Sequence, residues 1–325
     1  MKPIDRSRLR TVRATQRESK VDTSLFAKPV PPGAGFPRFY DALPGILKAN
    51  DLRGLASAAA AAHLGGRGVI WGLGGHVIKV GLAPLLGDLM RRGLVTALLM
   101  NGSAAIHDYE IAFMGRTSEE VGPGVATGTF GMAEETGAFF AAAAARGREC
   151  GLGEALKGAV ARGKLPFSKL SVLGAAARHG VPVTVHVAIG TDIVHMHPRC
   201  DGADVGAASH TDFLRFAALC ERLHGGVYLN WGSAVIAPEV FVKAVTLQNN
   251  LRGAPLSITT ANFDQLRHYR PRVNVVERPA AKGYDFAGHH ELMMPLFRLA
   301  LLEEVRRAKA RTPRAPRRGK RRLSS

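Results

Sequence analysis

The side chains able to do chemistry gather where apolar runs end. Leu98-Leu99-Met100 is apolar, and Asn101-Gly102-Ser103 breaks it just before His107, Asp108 and Glu110. Glycine, amide and carboxylate groups directly after an apolar run predict a binding loop at the carboxyl end of a strand. An acid there, Asp108 first and Glu110 second, can accept hydrogen bonds from a ribose, or cap a helix instead. Gly72-Leu73-Gly74-Gly75 follows Val69-Ile70-Trp71, and glycines at such a turn let a phosphate approach backbone N–H groups. Val77 stands where a GxGxxG pattern has its third glycine, so a plain tight turn fits equally. Gly190-Thr191-Asp192 offers a carboxylate to a cation or a cofactor hydroxyl, and an N-cap is the simpler alternative. Trp231-Gly232-Ser233 puts an aromatic face and a hydroxyl at a further strand end. Lys282 sits between small residues, where a desolvated amine can form an imine, although an exposed loop lysine is the commoner case. His195 and His197 lie near Cys200 and Asp201 without zinc-ligand spacing. They read as hydrogen-bonding or catalytic histidines, and no metal is expected.

These residues need elements to position them. Strands are expected at 69–71, 94–100, 181–187, 227–230 and 256–260. Between them come helices at about 76–92, 133–146, 153–162, 168–179, 209–224 and 238–250, with Ser209 as a cap, and a last one at 290–306. A first helix is expected from Phe39 to Ala62. Strands that are apolar throughout and alternate with helices predict a doubly wound α/β fold, with a mostly parallel sheet and helices on both faces. Such sheets bind ligands beyond the carboxyl ends of their strands. Five polar strand ends on one edge point to one pocket.

The chain has 325 residues and 46% hydrophobic content, enough to bury a sizeable core. Its formal charge is +18, of which residues 1–20 and 305–325 carry 15. Residues 1–35 therefore read as a basic arm, 36–304 as one α/β domain and 305–325 as a basic, disordered tail. The body is nearly neutral, so only the tails suggest weak contact with nucleic acid or an acidic partner. Three isolated cysteines suit a reducing compartment. No run approaches the ~20 apolar residues of a membrane span, and the basic N-terminus lacks a secretory apolar core. A cytoplasmic protein is expected.

Taken in order, the strand ends resemble the deoxyhypusine synthase family from about Gly68 to Leu302. The resemblance rests on Gly75 to Gly81, Leu94 to Asp108, Gly190 to Ile193, Phe216 to Val235, Thr259 to Asp264, and Gly283 to Phe297. It implies a Rossmann-like fold, NAD as cofactor, a homotetramer, and transfer of an aminobutyl group from spermidine to a protein lysine through a lysine imine. It also implies that Gly74, Gly75, His76, Asp108, Gly232, Ser233 and Thr260 hold the dinucleotide. Asp192 and Asp264 would hold the amine cation, with His195 beside them. The family's lysine motif falls near Arg278-Pro279, which leaves Lys282 as the substitute nucleophile. The alternative is an inactive nucleotide-binding regulator whose tails engage RNA or an acidic partner.

Overall fold

The structure, a computed structural model, describes residues 2–311 and separates into two units, Met1–Asp51 and Leu52–Ser325. In the first unit, single helical turns at Arg6–Arg8 and Thr23–Leu25 are capped by Asp5 and Asp22, which accept from the Ser7 and Ser24 backbone N–H groups. Helix α1 (Phe36–Ala42) stacks its Phe36 and Tyr40 rings 5.4 Å apart. The single helix expected from Phe39 is instead two. Pro44 cannot continue α1, and α2 (Leu47–Leu64) restarts after Leu47 takes a positive φ of 47°.

The second unit is built on six strands. In chain order the elements are β1 (Val69–Leu73), α3 (Gly75–Lys79), α4 (Ala83–Arg91), β2 (Ala97–Asn101), α5 (Gly102–Met114) and α6 (Val121–Thr127). Next come α7 (Glu134–Cys150), α8 (Leu152–Arg162), α9 (Val172–His179), β3 (Val183–His186), α10 (Gly202–Leu219) and β4 (Val227–Trp231). The chain continues through α11 (Ile236–Arg252), β5 (Thr259–Asp264), α12 (Tyr269–Pro271), β6 (Lys282–Ala287) and α13 (His290–Arg311). The strand order is β3-β2-β1-β4-β5-β6, and every pairing is parallel. This is the doubly wound, Rossmann-like order, whose switch point lies between β1 and β4.

One face of the sheet packs Ile70, Leu99 and Tyr228 against Phe216 of α10 and Phe241 of α11. On the other face Trp71, Trp231, Phe263 and Phe286 form an aromatic ladder across β1, β4, β5 and β6. Trp231 and Phe263 lie 3.8 Å apart and nearly parallel. Phe297 of α13 packs against that ladder, and Arg298 of α13 pairs with Asp88 of α4. Strands covered on both faces are apolar throughout, which is why β1 to β4 stand out in the sequence. Gly72 is required at its place, because a Cβ there would lie 2.5 Å from the Tyr228 hydroxyl.

Some boundaries differ from expectation. Asn101 to Glu110 is not a loop: Asn101 caps α5, its side chain accepting from the Ala104 N–H at 2.9 Å. Helix α10 starts at Gly202, capped by Asp201 rather than Ser209. Strand β5 begins where 256–260 was expected to end. Helix α13 continues through Arg311; the rest of the expected tail, 312–325, lies outside the described residues. Among the described residues no helix is long and apolar enough to cross a membrane.

Candidate functional site

At the carboxyl edge of β1, β2 and β3 the chain lines a cavity of about 190 Å3. Its wall takes Lys79 from α3, Ser103, His107 and Glu110 from α5, Glu119 from the segment after α5, and Asp192 from the turn after β3. Ser103, Ile106, His107 and Glu110 are spaced so that one face of a helix presents them together. Capping by Asn101 starts α5 directly at the strand end, so that face opens onto the cavity. Gly75 leaves room for it, since a Cβ there would sit 2.2 Å from Ser103 Oγ and 3.2 Å from the His107 ring.

His107 Nδ1 lies 2.7 Å from Thr117 Oγ1, and Thr117 donates to Glu110 Oε2 in a short hydrogen bond. Thr136 donates to the other Glu110 oxygen at 3.3 Å. Burial, helped by the Lys79 charge, pushes the His107 pKa down to about 4, so the ring is neutral at pH 7. Glu119 is held by the Gly131 N–H at 3.0 Å. Asp192 is half-buried, and desolvation lifts its pKa to about 6. Its carboxylate lies over the first residue of α5, because a Cβ on Gly102 would fall 2.0 Å from Asp192 Oδ2. The positive end of that helix faces the carboxylate. His195 orders the same turn, with Nδ1 accepting from the Gly190 and Asp192 N–H groups at 3.1 and 3.2 Å.

The other half of the carboxyl edge is arranged differently. Asn230 donates to Asn262 Oδ1 at 2.8 Å, Asn262 donates to Asp285 at 3.0 Å, and Arg267 stands 3.5 Å from Asp285. Asn230 also donates to the Ser233 carbonyl, and Ser233 Oγ accepts from the Ala237 N–H at the start of α11. The Gly74 and Gly232 backbones touch, since a Cβ on Gly74 would meet the Gly232 carbonyl at 2.0 Å. Gly232 has φ +67°, and His290 Nε2 covers it. The rings of His76 and His290 lie 5.7 Å apart. Buried Asn230 Oδ1 and His290 Nδ1 have no hydrogen-bond partner among the described residues.

The expected site residues therefore separate into groups. Asp192 and His195 belong to the cavity region, with Gly75 just behind its wall. Gly74, His76, Gly232, Ser233 and Asp264 lie at the switch point and the β5 end. Three others fall elsewhere. Asp108 is fully buried and points away: its carboxylate accepts from Ser171 Oγ at 2.6 Å and from the Val172 and Leu173 N–H groups at 2.6 and 2.9 Å. It fixes the start of α9 and, being fully buried, presents no oxygen to a ribose. Burial raises its pKa to about 6, against those hydrogen bonds. Thr260 is the second residue of β5 and donates to the Val275 carbonyl at 2.6 Å inside the protein. Lys282 opens β6 and pairs in register with Thr259, at the amino edge of the sheet. Parallel strands put that edge opposite the cavity. Lys79 and Glu119 are wall residues that the sequence did not single out, and His107 stood out there without a role. The helical spacing of 103, 106, 107 and 110 was the available signal for His107.

No family model matches the chain, and no curated protein matches it. Solved structures share the fold. The complex of AgrE with ornithine and NAD+ aligns at 15% identity and a TM-score of 0.50, over 80% of this chain and 33% of AgrE. A conserved putative LOR/SDH protein from Methanococcus maripaludis S2 aligns at 17% identity and a TM-score of 0.51, over 81% and 71%. A putative deoxyhypusine synthase from Entamoeba histolytica aligns at 11% identity and a TM-score of 0.42, over 83% and 94%, a likeness too slight to argue from. The chain spans about a third of AgrE. At these identities the neighbours establish the α/β Rossmann-like fold.

Proposed function

We propose that this chain is an NAD-dependent enzyme that oxidises a small amine. The observation that carries the reading is the cavity, where Glu110, Glu119 and Asp192 face a single ammonium, Lys79, and a neutral imidazole. An acid-rich, partly desolvated site favours a cationic ligand. At about 190 Å3 it suits a small amine rather than a dinucleotide. The dinucleotide is assigned to the adjoining switch point, beside Gly74 and Gly232, where buried Asn230 Oδ1 and His290 Nδ1 have no hydrogen-bond partner among the described residues. When bound, NAD would supply a hydride acceptor. The chain's own residues would hold the amine cation on Asp192 and Glu119 and keep water out behind Ile106, Phe130 and Ile193. Support from the neighbours is limited to the AgrE complex, described with ornithine and NAD+.

Spermidine belongs on the substrate panel because of the family resemblance. Aminobutyl transfer through Lys282 does not, because that lysine lies at the opposite edge of the sheet. The test is calorimetry with NAD, followed by NADH absorbance with putrescine, ornithine and spermidine. Failure to bind NAD refutes the proposal. Binding without reduction by any amine favours the inactive regulator instead.

A further inference from the structure

The hydrogen-bond chain behind the cavity determines which nitrogen of His107 is free. A carboxylate only accepts, and a threonine hydroxyl has one proton. Thr117 gives that proton to Glu110, so toward His107 it can only accept. The proton on the ring must therefore be on Nδ1, which leaves Nε2 as a bare lone pair. His107 and Glu110 stand one helical turn apart with 4.0 Å between Nδ1 and Oε2, and Thr117 reaches back from beyond the helix end to bridge them. Thr136 of α7 donates to the second Glu110 oxygen and keeps the carboxylate from turning.

We propose that His107 is the base of the cavity, its Nε2 presented to the ligand by a Glu110–Thr117 relay. An imidazole held by a hydroxyl that is itself held by a carboxylate has the logic of a base fixed by an orienting group. Burial leaves the ring neutral at pH 7, so Nε2 carries no proton before the ligand arrives. Resting on the amine-oxidation reading, the step balances as follows. Nε2 would take a proton from the substrate ammonium, and the freed nitrogen pair would form the C=N bond as the carbon gives up a hydride, for which bound NAD would supply the acceptor. The amine carbon would be oxidised by the two electrons of that hydride, and the proton would stay on His107. Glu110 and Thr117 act as positioning residues through the ring.

The decisive measurement is 15N NMR of His107 in the full chain at pH 7 without ligand. The wild type is expected to show one tautomer, protonated at Nδ1. Thr117→Ser should retain it, and Thr117→Val should give a mixture of tautomers. An Nε2–H ring in the wild type, or an unchanged ring in Thr117→Val, overturns the relay. In turnover, His107→Gln should lower kcat by roughly 10²–10⁴-fold, as expected for a lost general base, with NAD affinity unchanged. A kcat that survives His107→Gln overturns the base. Absence of NAD binding in the wild type strikes the functional reading, whereas the tautomer still decides the relay.

Discussion

Beyond β4, β5 and β6, the side chains of Asn230, Asn262, Asp285 and Arg267 direct most of their polar atoms at one another. Beyond β1, β2 and β3, Lys79, Glu119 and Asp192 line an opening. Both ends are rich in amides and acids, and composition does not distinguish them. What differs is where the neighbouring helix starts. Helix α5 begins directly after the last strand residue and turns His107 and Glu110 over the edge, whereas residues 232–235 separate β4 from α11 and Ser233 turns inward to accept from the Ala237 N–H. A polar strand end becomes a site when its helix leaves groups unspent.

The largest effect is expected from Asp108→Ala. It removes three hydrogen bonds to the start of α9, and cap loss with unsatisfied buried donors costs about 2–4 kcal/mol. Urea unfolding should show that loss, with NAD affinity per folded molecule intact. A stable variant that no longer binds NAD would return Asp108 to the pocket. Next, Asp192→Asn should raise KM for the amine by roughly 10–100-fold, the worth of one charge-assisted hydrogen bond, while Asp264→Asn should change it less. The reverse order would move the amine to the β4–β6 half.

A smaller effect concerns Asp212, buried behind β3. Its Oδ2 accepts from the Gly153 and Val185 N–H groups at 2.7 and 2.8 Å, its Oδ1 has no hydrogen-bond partner among the described residues, and burial lifts its pKa to about 7. A raised acid is protonated more readily folded than unfolded, so its contribution is full below the unfolded value near 3.8 and is lost as pH rises to about 7. Relative to Asp212→Asn, the wild type should lose roughly 1–3 kcal/mol between pH 4 and pH 7. Parallel denaturant curves at both pH values for the pair would contradict this. The smallest effect belongs to Lys282→Ala, which should leave turnover unchanged and shift stability within about 0.5 kcal/mol. A turnover defect would reopen the amino edge.

Legibility in the sequence followed locality. Strands β1 to β4 were readable because burial on both faces makes them apolar without interruption. Strand β6 was not: it is an edge strand whose Lys282 and Ala287 are exposed while Tyr284 and Phe286 are buried, and its Gly and Asp look like a turn. Asn101-Gly102-Ser103 resembled a loop for a related reason, since cap residues and turn residues are the same amino acids. Asp192 was found at the cavity because glycine, threonine and aspartate after a strand stay together in the fold. Asp108 was misread because its partners lie 63 to 65 residues away, and no local pattern announces them.

The aromatic ladder also gives the molecule an optical property. Its two tryptophans, Trp71 and Trp231, are both fully buried in the paired strands β1 and β4, with ring centroids 5.7 Å apart. All tryptophan emission therefore comes from the seam between the two halves of the sheet. His290 lies 6.2 Å from Trp231, close enough to quench it once protonated. Unlabelled fluorescence should thus report any ligand that settles over His290.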